Sequence, residues 1–458
     1  MTATPVHGSP DDPGGATPHR LAFGIEERPA RAWETLLYAW QHTLVDISPF
    51  VLPLAVAAAA GLSDVDTGRL INFGLFGMGV ATVIQTSVGN RLPVVQGPSA
   101  TLTGTLAPVA AQLGPGVMWG AAFAGGIVEG LVGASGWVGR ARRFFSPAVS
   151  GVVVLAIALA LGGLAGRLAL GEGRVVDLAL ASAVVALVVA LRVGARSLWG
   201  GLAARASIFV SIWIVGLGVG GLLGEVDWSL VRDRPWIAAP VLFPFGGPGF
   251  GWGFSLAALT AVLAGYLASM VESLGDYAAT CAAAGAPLEV GHMNRGIAAE
   301  GFGSALAACF GGLPCTSYTQ NVGIIAATGV ASRAVVRVAG VILLLYGLSP
   351  KFGGLLVALP RPVLGGVFLI VCGMIAVSGI DLLRRAAPTA ENRTLAGLTL
   401  VTALGVPLAA ESGLGEAWLE GLPGLPRLVV TNPVVLAVIL AVGLHLLFGP
   451  GRDGAEGE

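Results

Sequence analysis

Leu313-Pro314-Cys315-Thr316-Ser317-Tyr318-Thr319-Gln320 repeats in outline an earlier stretch, Leu92-Pro93-Val94-Val95-Gln96-Gly97-Pro98-Ser99. Each opens with Leu-Pro, passes through residues suited to extended backbone, reaches a small polar run and then enters an apolar helix. Short hydrophobic segments interrupted by Gly or Pro, in matching positions of two halves, point to a transporter binding site. Exposed backbone at membrane depth is tolerated only where it lines a cavity. Two kinked helices are the plainer reading of the same pattern.

Outward from these stretches, apolar segments of spanning length recur almost without pause. They cover 33–60, 68–88, 93–111, 117–138, 146–166, 175–193 and 203–223, then 252–284, 295–310, 316–333, 334–350, 361–380, 394–411 and 431–448. Seven segments per half is an odd number, so the halves insert with opposite orientation. The expected fold is an all-α membrane protein of 14 transmembrane segments in two inverted seven-segment repeats. Segments 3 and 10 are the broken ones, each with a short extended stretch. Composition agrees. Of 458 residues, 55% are hydrophobic and 11% charged, against about 25% charged in a soluble domain, and mean hydropathy is +0.82. Such a chain is solvated by lipid.

Basic and acidic residues number 25 and 26, for a formal net charge of −1. That balance excludes a polybasic nucleic-acid binder. The arginine clusters at Arg140, Arg142 and Arg143, at Arg192, Arg196 and Arg205, at Arg333 and Arg337, and at Arg384, Arg385 and Arg393 fall in alternate loops. The positive-inside rule then puts both termini in the cytoplasm. Residues 1–30 lack the apolar core of a signal peptide, and a disordered cytoplasmic tail is expected there. A second polar tail is expected at 449–458. Cys281, Cys309, Cys315 and Cys372 form no CxxC and no metal spacing with His, so they read as small buried hydrophobes.

Ionisable residues inside a membrane are expensive, and each is a functional candidate. Glu272 and Asp276 stand four residues apart in Val271-Glu272-Ser273-Leu274-Gly275-Asp276-Tyr277, on one helical face. Such a pair suits ligand binding or proton carriage; interhelical hydrogen bonding is the alternative. Gln320 and Asn321 sit where the second broken segment becomes helix, with free N–H groups and the positive end of the dipole. The Gln amide has both donors and an acceptor, and fits the edge of a planar heterocycle. His42, after Gln41 and four residues before Asp46, reads as structural or coupling. Glu300 is either an interhelical bonder near Asn294-Arg295 or a coupling group, and Glu129 reads as structural. No HExxH, P-loop or GxSxG is present. Uphill transport would therefore draw on an ion gradient.

These residues resemble a known family. Gln320-Asn321-Val322-Gly323, running to Thr328-Gly329, is similar to the Q/E-N-x-G-x4-T signature of the nucleobase–ascorbate transporters. Gln41-His42 resembles the family's Gln-His pair in the first span. Glu272 to Tyr277 resembles the acidic motif of the eighth. Pro362-Val363-Leu364-Gly365-Gly366 and Asn392-Arg393 resemble later motifs. The resemblance implies a core domain (31–140 and 252–350, segments 1–4 and 8–11) that moves as an elevator against a gate domain. The gate would comprise 141–251 and 351–448, segments 5–7 and 12–14. It also implies a homodimer through the gate in the cell membrane, no cofactor, and proton symport of a small nucleobase. Glu272 would accept from ring N–H groups, Gln320 would read another edge, and backbone at Ser99–Ala100 and Tyr318–Thr319 would line the site. The coupling proton would be carried by one of Glu272, Asp276 and Glu300. Gln41, His42, Asn321, Gly323 and Thr328 would support the site.

Within the family, Gln at the Gln320 position resembles the xanthine and urate members, and Glu the uracil members. The chain departs from the pattern at Ala100, where many members place a Phe that stacks on the base. Such stacking contributes about 1–3 kcal/mol, and Phe368 is the expected substitute. The expected function is purine import, with uracil symport as the alternative. An anion exchanger of the sulfate/bicarbonate type is the remote one, since Glu272 and Asp276 would repel an inorganic anion.

Overall fold

The structure, a computed structural model, describes residues 21–45, 48–138, 146–194, 207–244, 251–412, 419 and 421–448. Residues 1–20 and 449–458, Asp46, and the arginine clusters at 140–143 and 196–205 lie outside the described residues.

The first half contains α1 (Ala32–Val45), α2 (Ser48–Ala60), α3 (Asp64–Ser87), β1 (Gln96–Pro98), α4 (Ala100–Leu113), α5 (Pro115–Ala134), α6 (Pro147–Leu170), α7 (Val175–Gly194) and α8 (Ser207–Leu222). After the short α9 (Ser229–Arg232) come α10 (Leu256–Ala283), α11 (Val290–Cys309), β2 (Cys315–Ser317), α12 (Thr319–Thr328), α13 (Arg333–Gly347) and α14 (Pro350–Val357). The chain continues with α15 (Arg361–Arg385), α16 (Ala390–Glu411), α17 (Gly424–Thr431) and α18 (Pro433–Phe448). Each of the fourteen apolar stretches contains helix. Among the described residues, α3, α5, α6, α7, α10, α15 and α16 are each long and apolar enough to cross a bilayer. The α13–α14 pair would be an eighth, bent by 76° at its break. That break at Leu348–Ser349 had no counterpart in the apolar pattern.

Polar caps set many helix starts. Ser63, Ser99, Ser146, Ser255, Ser332 and Thr389 each accept a backbone N–H of the following first turn, which satisfies a donor the helix cannot. Glycines set the packing distances. A Cβ on Gly301 would lie 2.2 Å from the Gly130 nitrogen, and one on Gly126 2.8 Å from the Gly301 oxygen, so α5 and α11 touch backbone to backbone. Small residues permit such approach in membranes. In the same way Gly365 meets Ala169 and Gly379 meets Gly151, so α6 and α15 run antiparallel in contact. Two sets of pairings result. In one, α3 packs on α13 and α11, α5 on α11, and α10 on α4 and α5. In the other, α15 packs on α6 and α7, and α18 on α16 and α6.

The two broken stretches pair with each other. β1 and β2 are antiparallel, with Gln96 opposite Ser317, Gly97 opposite Thr316 and Pro98 opposite Cys315. Tyr318 N donates to Val95 O at 3.1 Å and Ser99 N to Pro314 O at 3.0 Å, extending the ladder at both ends. Both strands are buried, and each leads into a helix, α4 or α12.

Residues 21–30, expected in the disordered tail, are ordered instead. Phe23 bridges Val330 in parallel. Ala22 N and Phe23 N donate to Gly329 O, Ala331 N donates to Phe23 O, and Arg333 N donates to Ile25 O. Arg333 pairs with Glu26, and the Ser332 hydroxyl donates to Glu27 O. Main-chain pairing of this kind needs no side-chain pattern, so composition could not announce it. Gly329 (φ 69°) ends α12 in the left-handed region, which glycine adopts without strain.

The Gly301 contact generates a prediction. Gly301→Ala forces backbone apart on both sides, and overpacking typically costs 1–3 kcal/mol. The apparent melting temperature of the purified protein in detergent should fall by several degrees. Gly397→Ala, where nothing lies within 4 Å of the added carbon, should leave it unchanged; equal behaviour of the two variants would contradict the packing described.

Candidate functional site

A cavity of about 590 Å³ lies against the strand pair, within the range of small-molecule sites. Pro98 and Ala100 border it from β1 and α4, and Thr316, Ser317, Tyr318 and Gln320 from β2 and α12. Glu272 and Asp276 of α10 enter from a third side. The fourth wall is the face of α15 from Ile370 to Arg385, with Arg192 of α7 against Met374.

Glu272 is partly exposed to this space. Thr101, in the first turn of α4, donates its hydroxyl to Glu272 Oε2 at 3.1 Å. Oε1 is left without a hydrogen bond among the described residues, free to accept from a ligand N–H. One turn on, Asp276 Oδ2 accepts the Ser317 hydroxyl at 2.8 Å. Asp276 is buried, so this bond braces β2 more than it presents a charge. Gln320 stands in the first turn of α12 with its side chain partly exposed on the cavity. The helix N-terminus beneath it adds N–H groups and the positive dipole end. Carboxylate, amide and strand residues thus border one volume.

Behind the strands lies a second polar cluster. Glu300 of α11 is fully buried and away from the cavity. Both its oxygens lie 2.7 Å from the Ser273 hydroxyl, and Tyr277 Oη donates to Oε2 at 3.1 Å. With its amide nitrogen turned to the carboxylate, Gln96 donates to Oε2 at 3.2 Å and accepts from Gln85 Nε2 at 3.2 Å. Gln85 also donates to Tyr277 Oη at 2.7 Å. Ser273 is the hub. Its one proton goes to Glu300, and its lone pairs face Ser317 N at 3.2 Å and Thr316 Oγ1 at 2.9 Å. Ser317 Oγ then remains free to donate to Asp276. Glu300 therefore bonds to α10 and β1, not near Asn294-Arg295.

His42 Nδ1 and Asn321 Oδ1 are 2.6 Å apart and both buried, tying α1 to α12. Gln41 is partly buried beside them. Gly323 faces open space. Thr328 donates to Ile324 O and accepts from Val330 N, closing the end of α12. Ser99 is buried and caps α4, so its backbone is what it offers. Ala100 is on the wall and partly exposed. Tyr318 packs its ring on Gly97, where a Cβ would fall 2.6 Å from it, and donates Oη to Pro98 O at 3.0 Å. Thr319 opens α12.

Phe368 does not join them. It is fully buried in α15 and is not among the cavity residues. The α15 wall of the cavity begins at Ile370, so the ring expected to replace the one missing at Ala100 turns elsewhere. Tyr318 is the one aromatic residue on the cavity among those described. Thr101, Gln85 and Gln96 were not expected in the site. Their signal was present only as polar residues in apolar runs.

A family model described as "Permease family" matches residues 33–412. The chain is 31% identical over 428 residues to the uric acid permease PucK of Bacillus subtilis, covering 91% of this chain and 96% of that protein. It is 30% identical over 427 residues to the xanthine permease of the same organism, covering 91% and 94%. Among solved structures, the transmembrane domain of the cyanobacterial bicarbonate transporter BicA aligns with a TM-score of 0.56 at 17% identity, over 91% of this chain and 99% of that one. This likeness concerns the fold alone. The sequence motifs and the full-length match agree, and the chain belongs to the xanthine/urate permease family of nucleobase transporters.

Proposed function

We propose that the protein imports a purine nucleobase, xanthine or urate, by proton symport across the cytoplasmic membrane. The observation that carries this reading is that Glu272 and Gln320 face one cavity beside the paired strands. Glu272 Oε1 accepts a ring N–H, Gln320 pairs with an edge bearing donor and acceptor, and the strand backbone fills the remaining contacts. A neutral amide at Gln320 suits urate, which is an anion at neutral pH; a second carboxylate there would repel it. The names of the relatives, permeases for uric acid and xanthine, point the same way.

Helix pairing supports two inverted repeats. Numbering the apolar stretches in order, stretch 4 (α5) packs on 9 (α11), and 2 (α3) packs on 11 (α13). Exchanging the halves converts one pair into the other. Stretch 1 on 11 (α1 on α13) likewise converts into 8 on 4 (α10 on α5), and 5 on 12 (α6 on α15) maps onto itself. In this reading α1–α5 and α10–α14 form the core that carries the substrate. The gate, α6–α8 and α15–α18, stands still and joins two protomers. Arginine placement puts the mouth with Arg192 and Arg385 in the cytoplasm, along with both termini. The coupling proton rides on Glu272, which Thr101 ties to α4, while Ser317 and Ser273 tie Asp276 and Glu300 to β2.

Three measurements test this. Purified protein in liposomes should take up labelled xanthine or urate when the outside is acidic, and an uncoupler should abolish accumulation. Uptake of uracil alone would transfer the reading to a pyrimidine. Glu272→Gln should weaken substrate binding about 10–100-fold, the scale of a hydrogen bond to a charged group, in a protein that still elutes as a folded species; unchanged affinity would remove Glu272 from the site. Gln320→Glu should weaken urate about tenfold more than xanthine, or ~1.4 kcal/mol. Equal losses would show that charge at this position does not discriminate.

A further inference from the structure

α5 and α11 cross where two Glu-Gly pairs meet, Glu129-Gly130 and Glu300-Gly301. A Cβ on Gly301 would lie 2.2 Å from the Gly130 nitrogen and 2.8 Å from the Glu129 carbonyl carbon. The crossing therefore brings two carboxyls into one interior. Glu129 is 2% exposed and Glu300 1%, and Glu300 is the charged neighbour that acts on Glu129. The two are unequally served. Glu300 receives donors from Ser273, Tyr277 and Gln96. Neither side-chain oxygen of Glu129 has a hydrogen-bond partner among the described residues.

The helices packed on α5 are α11, α10 and α4. From them, Glu300 of α11 and Tyr266 and Tyr277 of α10 act on Glu129, and Cys315 of β2 lies within its electrostatic reach. Glu272 and Asp276 of α10 turn instead to the cavity and to β2. α4 has no titratable side chain, and α5 none besides Glu129. The Tyr266 hydroxyl donates to Ala122 O at 2.7 Å, and Tyr277 donates to Glu300. No cation is among these described groups. A buried carboxylate with neither donor nor cation costs several kcal/mol, so Glu129 does not sustain a charge beside a charged Glu300. Its sequence reading was structural. A structural carboxyl is held by bonds, and Glu129 makes none among the described residues; what it offers is a place to keep a proton.

We infer that Glu129 is a proton-exchanging residue of the transport cycle, holding a proton while Glu300 is charged and passing it to Glu300 when the strand pair shifts. The inference rests on the proton-symport reading above and adds a second proton carrier behind the strands. Two of the three donors to Glu300 are bound up with the ladder. Gln96 is in β1, and Ser273 accepts from Ser317 N of β2. A ladder displaced with the ligand takes these donors from Glu300. In the transfer the O–H bond on Glu129 breaks, one forms on Glu300, and the net charge of the pair is unchanged. The Tyr277 hydroxyl, which acts on both carboxyls, is then the donor for the charge left on Glu129. Glu129 stands off the substrate cavity, so its loss falls on turnover rather than on binding.

The test is infrared difference spectroscopy of the full chain in lipid, with and without saturating xanthine or urate, over the carboxylic-acid C=O stretch. The unaltered protein should lose one acid band and gain another, both shifted in D2O. Glu129→Gln and Glu300→Gln should each abolish this pair of bands, because one lacks the proton and the other its acceptor. A band arising from Glu272 would survive in both variants. Glu129→Gln is nearly isosteric, and its substrate Kd should stay within about twofold while proton-driven uptake falls about 10–100-fold, the scale of a lost proton-transfer group. Its uptake should also follow a displaced pH profile. A merely structural role would instead lower the melting temperature and leave bands and pH profile as they were. Both bands surviving in Glu129→Gln, or a pH profile superimposable on that of the unaltered protein, would overturn the inference while leaving purine transport standing. Absence of proton-driven purine uptake by the unaltered protein would overturn the reading on which it rests.

Discussion

Everything at the candidate site depends on a short antiparallel ladder, Gln96–Pro98 against Cys315–Ser317. In a hydrocarbon environment an unpaired backbone N–H or C=O costs several kcal/mol, so neither broken stretch is stable alone. Each supplies the other's partners. The pairing also joins residues more than 200 positions apart and sets the starts of α4 and α12 beside one cavity. Ser99 caps α4 from within the ladder's end, and Tyr318 reaches across Gly97 to Pro98. The helix ends so placed leave N–H groups directed at the space where Glu272 and Gln320 also look.

Ser273 extends this constraint to the buried carboxylates. It is adjacent to Glu272 in sequence, yet it points to the other side of α10, toward Glu300 and the back of β2. Glu272 thus faces the cavity while its neighbour in sequence holds Glu300 and the back of β2. Glu300 is held by Ser273, Tyr277 and Gln96, so its environment changes whenever the ladder moves relative to α10.

Much of the fold was legible because membrane helices announce themselves by apolar length and because Leu-Pro openings marked both broken stretches. The carboxylate at Glu272 and the amide at Gln320 were legible for a related reason: polar groups are rare in apolar runs. Phe368 was misplaced because an apolar ring in an apolar helix carries no directional signal, and the periodicity of α15 is that of a helix contacted on several sides. The ordered segment from Ala22 to Glu27 escaped notice because it is held chiefly by backbone bonds to Gly329–Arg333. The hub at Ser273 was invisible for want of its partners, which come from α11 and β2.

The fold likeness to a bicarbonate transporter shows that this architecture also serves inorganic anions, so the distinction must lie in the site. The most direct measurement is a cryo-electron microscopy map of the protein with saturating xanthine or urate. The account predicts planar density between the Glu272 carboxylate and the Gln320 amide, edge-on to the strand pair. Planar density elsewhere, or a base bound without contact to Glu272, would contradict it.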